Sequence, residues 1–141
     1  MDLFGDNSDS EVEPLGAGLV EPAPILKPRI IETTFDGLLS SPIKLHEDLA
    51  KGCGGRIWPA GETLAKYLLR RYGGGSNELR GKRITELGAG GGLVGLAVAA
   101  GCDISESELY ITDMEAMMEM MARNVALNKF EGKVKVQLLD W

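Results

Sequence analysis

Residues 84–95 read Ile-Thr-Glu-Leu-Gly-Ala-Gly-Gly-Gly-Leu-Val-Gly, with five glycines between Gly88 and Gly95. Glycine at a turn between two apolar runs lets backbone approach a ligand closely. A Walker phosphate loop would end on Gly-Lys-Ser/Thr, but Gly92-Leu93-Val94 stands there instead. Gly90-x-Gly92-x-x-Gly95 matches the dinucleotide fingerprint literally, a weak signal in so glycine-rich a segment. Glu86, two residues before Gly88, decides against it. A carboxylate beside the turn repels a pyrophosphate and tolerates a cation. S-adenosylmethionine has an ammonium, a sulfonium and no phosphate, and the frame Glu86-x-Gly88-x-Gly90-x-Gly92 is the pattern expected for it.

A second acid supports a nucleoside ligand. Asp113 ends the strand-like run Glu-Leu-Tyr-Ile-Thr-Asp, 25 residues after Gly88. In a doubly wound sheet a carboxylate there lies beside the first turn, where ribose hydroxyls can donate to it. The plainer role is to cap the following helix. Asp140 and Trp141 end a third strand-like run. A carboxylate can accept from an adenine amine, and an indole can cover the ring. Ligands in such folds bind at the carboxyl ends of strands, so the three strand ends carry weight together.

Other chemistry finds little support. His46 is the one histidine, which weighs against histidine triads and zinc sites. Cys53 and Cys102 are unclustered, as in a reduced cytosolic protein. No metal site is expected, and no residue stands out as a general base. Met117, Met121 and Val125 recur at helical spacing and read as core.

The positioning elements follow from periodicity. Asp36-Gly37 signals a two-residue hairpin between Ile-Ile-Glu-Thr-Thr-Phe and Leu-Leu-Ser-Ser-Pro-Ile-Lys-Leu-His-Glu-Asp-Leu. Pro42 marks the second arm as an edge or interrupted strand. Pro59 opens a helix reaching about Tyr72, with Leu64, Tyr67 and Leu68 as the expected buried stripe. Strand signals at 82–87, 108–113 and 134–141 alternate with helical ones at 93–100 and 115–128. Alternation predicts right-handed crossovers and a parallel sheet.

Of the 141 residues, 15 are Lys or Arg and 21 are Asp or Glu, a formal charge of −6. Six of the acids lie within residues 1–24, which hold no Lys or Arg. The remainder is neutral and shows no basic stripe for nucleic acid. No apolar run approaches the ~20 residues of a membrane span, and the acidic start is unlike a signal peptide. Residues 1–28, rich in acids and prolines, are expected to be a disordered tail, with residues 29–141 as the folded part.

Four stretches, Gly-Cys-Gly-Gly-Arg-Ile-Trp-Pro-Ala-Gly-Glu-Thr-Leu-Ala-Lys-Tyr-Leu (52–68), the glycine segment (84–99), Leu-Tyr-Ile-Thr-Asp through Asn128 (109–128) and Val-Gln-Leu-Leu-Asp-Trp (136–141), together resemble the seven-strand protein-lysine methyltransferases of elongation factors and chaperones. The likeness is strongest to the fungal enzymes acting on elongation factor 1-alpha, and it covers roughly residues 30–141. It implies a Rossmann-like methyltransferase fold using S-adenosylmethionine, a protein substrate, a monomer at full length and a cytoplasmic location. Trp58, Glu86, Gly88, Ala89, Gly90, Asp113, Asp140 and Trp141 would bind the cofactor. Asn124 and Asn128 fit the family's Asn-Val-x-x-Asn helix and read as structural. Gly91 departs from it, since many relatives carry a polar residue there.

The resemblance also implies seven strands, of which this sequence supplies the first three. The Asp/Glu-x-x-Tyr segment that lines the lysine channel would follow the fourth strand, so catalytic residues are expected beyond Trp141. The chain is therefore expected to be a fragment, or a truncated gene product, with weak cofactor binding and little activity. Two other readings compete: a nicotinamide-type oxidoreductase fragment and a non-catalytic interaction module.

Overall fold

The structure, a computed structural model, describes residues 27–141. The acidic tail expected over residues 1–28 lies, apart from its last two residues, outside that range.

Strands β1 (Arg29–Thr33) and β2 (Ile43–Glu47) form an antiparallel pair, with Arg29 opposite Glu47 and Thr33 opposite Ile43. The hairpin is as expected, but its connection is not a two-residue turn. It runs from Thr34 to Pro42. Asp36 and Gly37 do adopt positive φ, 59° and 82°. Phe35 and Leu39 beside them are buried in the core, and burying these side chains draws the connection inward and makes it longer than a two-residue turn.

A 3₁₀ segment (Leu49–Gly55) leads to α1 (Pro59–Tyr72). Pro59 takes the first helical position, where its missing N–H costs nothing. The buried stripe is Ala65 and Leu69, not Leu64 and Tyr67, which are about half exposed at 48% and 55%. The reason is the neighbouring helix: a Cβ on Gly101 would run into Leu69. Small residues on that helix admit Leu69, and this sets the rotation of α1.

Next come β3 (Arg83–Leu87), α2 (Leu93–Gly101), β4 (Glu108–Asp113), α3 (Glu115–Leu127) and β5 (Val134–Leu138). The three strands form a parallel sheet in the order β3-β4-β5. Within the described residues β3 pairs on one side only. Leu109 and Ile111 of β4, Leu96 and Ala97 of α2, and Met117, Met121 and Val125 of α3 fill the core, as the helical spacing of the methionines predicts. On the sheet's other face Lys135 donates to Glu108 at 2.8 Å and lies over the Tyr110 ring.

Candidate functional site

The carboxyl end of β3 turns into α2 through the glycine segment. Gly90 has φ of +54°, and a Cβ on it would stand 2.9 Å from the Gly54 carbonyl oxygen. Two constraints therefore select glycine there: left-handed backbone and the closeness of the 3₁₀ segment. Hydrogen bonds to the end of β4 fix the turn. The Ala89 amide donates to the Thr112 carbonyl at 3.0 Å. The Gly90 amide donates to Asp113 Oδ2 at 2.7 Å, and the Met114 amide donates to Asp113 Oδ1 at 2.7 Å. Asp113 thus anchors the turn and holds the amide of Met114, the residue before α3, but caps no amide of the helix itself. Each carboxylate oxygen has a second lone pair left for a ligand hydroxyl.

Glu86 has a similar double position. The residue at the N-cap of α2 is Gly92, which has no side chain to cap with. Glu86 reaches over from β3 and accepts the Gly95 amide at 2.7 Å. A Cβ on Gly95 would run into Ile111 and approach Glu86 Oε2 to 2.8 Å. So the third glycine of the dinucleotide-like frame serves close packing of helix on sheet and access of a carboxylate to a helix N-terminus. Burial pushes the Glu86 carboxyl up to about 7, against the pull of the Gly95 and Val94 amides, and the nearby Asp113 charge adds to the rise.

Trp58 precedes α1 and is half exposed. Its Nε1 donates to the Cys53 carbonyl at 2.9 Å, and the Arg56 guanidinium lies 5.5 Å from its ring centre. Trp58, Glu86, Gly88, Ala89, Gly90 and Asp113 all line one cavity of about 370 Å³, within the ~300–1,000 Å³ typical of small-molecule sites. The structure thus brings together six of the eight expected residues. Asp140 and Trp141 follow the end of β5, are exposed and do not line this cavity. The Trp141 ring nonetheless stands over the turn, 3.6 Å from where a Gly88 Cβ would lie.

Cys53, Gly54, Arg56, Ile57 and Gly61 also line the cavity and were not singled out from the sequence. Their signal was present in the Gly-Cys-Gly-Gly-Arg stretch, where two adjacent glycines precede a basic residue and a tryptophan. The charged groups on the wall are therefore Glu86, Asp113 and Arg56. Two carboxylates and one guanidinium in the lining suit a ligand with cationic groups and one carboxylate better than a diphosphate. No cluster of three or more metal-ligating side chains occurs among the described residues, and no described helix is long and apolar enough to cross a membrane.

A family model described as lysine methyltransferase matches residues 38–141. The protein-lysine N-methyltransferase EFM6 of Saccharomyces cerevisiae is 32% identical over 122 residues, covering 78% of this chain and 49% of its own length. The protein N-lysine methyltransferase METTL21A of Danio rerio is 35% identical over 103 residues, covering 70% of this chain and 44% of the relative. EEF1A lysine methyltransferase 3 of Mus musculus is 35% identical over 91 residues, covering 64% of this chain and 36% of the relative. The chain spans about half the length of the first two relatives. Its parallel sheet with intervening helices agrees with a Rossmann-like methyltransferase fold.

Proposed function

The chain belongs to the lysine methyltransferase family, and from that premise we propose that it is the cofactor-binding part of an S-adenosylmethionine-dependent protein-lysine N-methyltransferase acting on translation elongation factor 1-alpha. The observation that carries the proposal is the cavity in which Glu86 and Asp113 flank a glycine turn. The substrate rests on the name of one relative, the EEF1A lysine methyltransferase 3 of Mus musculus.

The residues present fit the cofactor. Glu86 would meet the methionyl ammonium, and Arg56 would meet the methionyl carboxylate. Asp113 would accept from the ribose, while Gly88, Ala89 and Gly90 would carry the backbone past the ligand with at most one methyl group in the way. Trp58 would cover the cavity, and Asp140 and Trp141, which lie outside its lining, would serve the adenine from the third strand end. When bound, the cofactor supplies an electrophilic methyl group on sulfur. The lysine amine that receives it is protonated at neutral pH, with a pKa of about 10.4, and must lose its proton first. Desolvation in a narrow channel lowers that pKa. The chain's contribution to rate is to hold one of the two reactants in place.

We further propose a cytoplasmic location and a monomeric full-length enzyme. The test is a ligand panel on the full chain by thermal denaturation. S-adenosylhomocysteine should raise the melting temperature and NAD should leave it unchanged. The reverse order would favour the oxidoreductase reading, and concentration-dependent self-association with neither ligand bound would favour the interaction module.

A further inference from the structure

Asn124 of α3 and Asn128 at the C-cap of the same helix face the same strand, yet they bond differently. Asn128 Oδ1 accepts the Lys44 amide at 2.9 Å, and its Nδ2 donates to the Lys44 carbonyl at 2.7 Å. It thus does for β2 what a neighbouring strand would do. Asn124 Oδ1 accepts the His46 amide at 2.7 Å, but its Nδ2 turns away and donates to the Gly91 carbonyl at 2.8 Å. The spacing explains how one helix serves both. Four residues of helix rise about 6 Å, and two residues of strand about 6.6 Å. Asn124 of α3 and Asn128 at its C-cap therefore keep step with 46 and 44 of β2, which runs the opposite way along them.

Asn124 is fully buried. Each of its amide atoms faces a partner of the opposite kind, a backbone donor and a backbone acceptor. It joins three parts that are distant in sequence: the hairpin, α3 and the glycine turn. The hairpin also carries the segment that touches the same turn from outside. The Asp48 amide donates to the Gly55 carbonyl at 2.9 Å, and the Gly54 carbonyl abuts Gly90. One side-chain amide thus sets where the turn sits relative to Gly54 and Trp58, the opposite wall of the cavity.

We infer that Asn124 is a positioning residue of the cofactor site, fixing the glycine turn against the hairpin and the wall it carries, while Asn128 holds the hairpin alone. The inference rests on the cofactor reading above. It separates binding from folding, because only Asn124 reaches the turn.

The test compares Asn124→Asp with Asn128→Ala in the full chain, by calorimetric titration with S-adenosylhomocysteine. Aspartate keeps the acceptor for the His46 amide and sets an acceptor against the Gly91 carbonyl. It should raise the Kd about tenfold or more, since a buried carbonyl loses its donor. Asn128→Ala should lower the melting temperature and change the Kd less than about twofold. An unchanged Kd in Asn124→Asp, or an equal loss in both variants, overturns the inference. Should Asn124→Asp fail to fold, amide exchange in the wild-type chain decides. The His46 amide, which does not line the cavity, should exchange more slowly when S-adenosylhomocysteine saturates the protein. No change there, with slowing at Gly88–Gly90, overturns the inference. A wild-type chain that does not bind S-adenosylhomocysteine removes the cofactor reading, and this inference with it. A wild-type chain that binds while Asn124→Asp binds equally removes the inference alone.

Discussion

Glu86 Oε2 accepts the Gly95 amide at 2.7 Å, so the acid at the end of one strand caps the helix that begins after the next turn. The helix dipole and its free amides favour the ionised carboxylate, while burial opposes it. Burial prevails, and the group titrates at about 7 rather than at its ordinary 4.5. The same atom group thus holds the fold together and faces the cavity with a charge that is only partly developed at neutral pH.

That balance gives a pH dependence with a definite sign. The folded protein binds the Glu86 proton more tightly than the unfolded chain, so this group's contribution to stability is complete below about 4.5 and is lost as pH rises through about 7. Binding of an ammonium runs the other way, because it needs the ionised form. Affinity for S-adenosylhomocysteine should rise about tenfold between about pH 6 and pH 8. Glu86→Gln keeps an oxygen for the Gly95 amide and removes the titration, so its affinity should be low and flat with pH. A wild-type affinity that falls with rising pH would contradict the assignment of Glu86 to the ligand's cation.

Gly95→Ala tests the packing at the same place. The new methyl would run into Ile111, which is fully buried, and crowd Glu86 Oε2. Overpacking of this kind costs about 1–3 kcal/mol. Denaturant unfolding should report a loss in that range. A variant as stable as the wild type would mean that α2 can slide over the sheet without cost.

Trp58 is a wall more than a core residue. Trp58→Ala removes the donor to the Cys53 carbonyl and the ring under Arg56. Because the ring is half exposed, the melting temperature should change by only a few degrees, about what ~1 kcal/mol produces in a domain of this size. Titration should instead show a Kd for S-adenosylhomocysteine about tenfold higher. A large fall in melting temperature with unchanged affinity would reassign Trp58 to the core.

The repeated strand–helix alternation after Arg83 was legible because apolar periodicity and glycine punctuation agree there. The ends of β3 and β4 were legible for the same reason, and with them the meeting of Glu86, Asp113 and the turn. The hairpin connection was not. Asp36-Gly37 has the right backbone, but Phe35 and Leu39 are pulled into a core that the local sequence does not reveal. The face of α1 was misread by one position, since Leu64 and Tyr67 look more apolar than Ala65, and only a partner helix with glycine at position 101 explains why Leu69 goes inward. Asn124 and Asn128 were recognised as structural, but their partners lie 78 and 84 residues away. Spacing within a helix cannot disclose a strand that distant.

The most direct measurement is a chemical-shift map of the isotope-labelled full chain titrated with S-adenosylhomocysteine. The largest amide shifts should fall at Gly54–Trp58, Gly88–Gly91 and Asp113, the two walls and the acid of one cavity. Shifts centred on the separate cavity lined by Ser40, Lys44 and Phe130, or no shifts at all at saturating ligand, would contradict it.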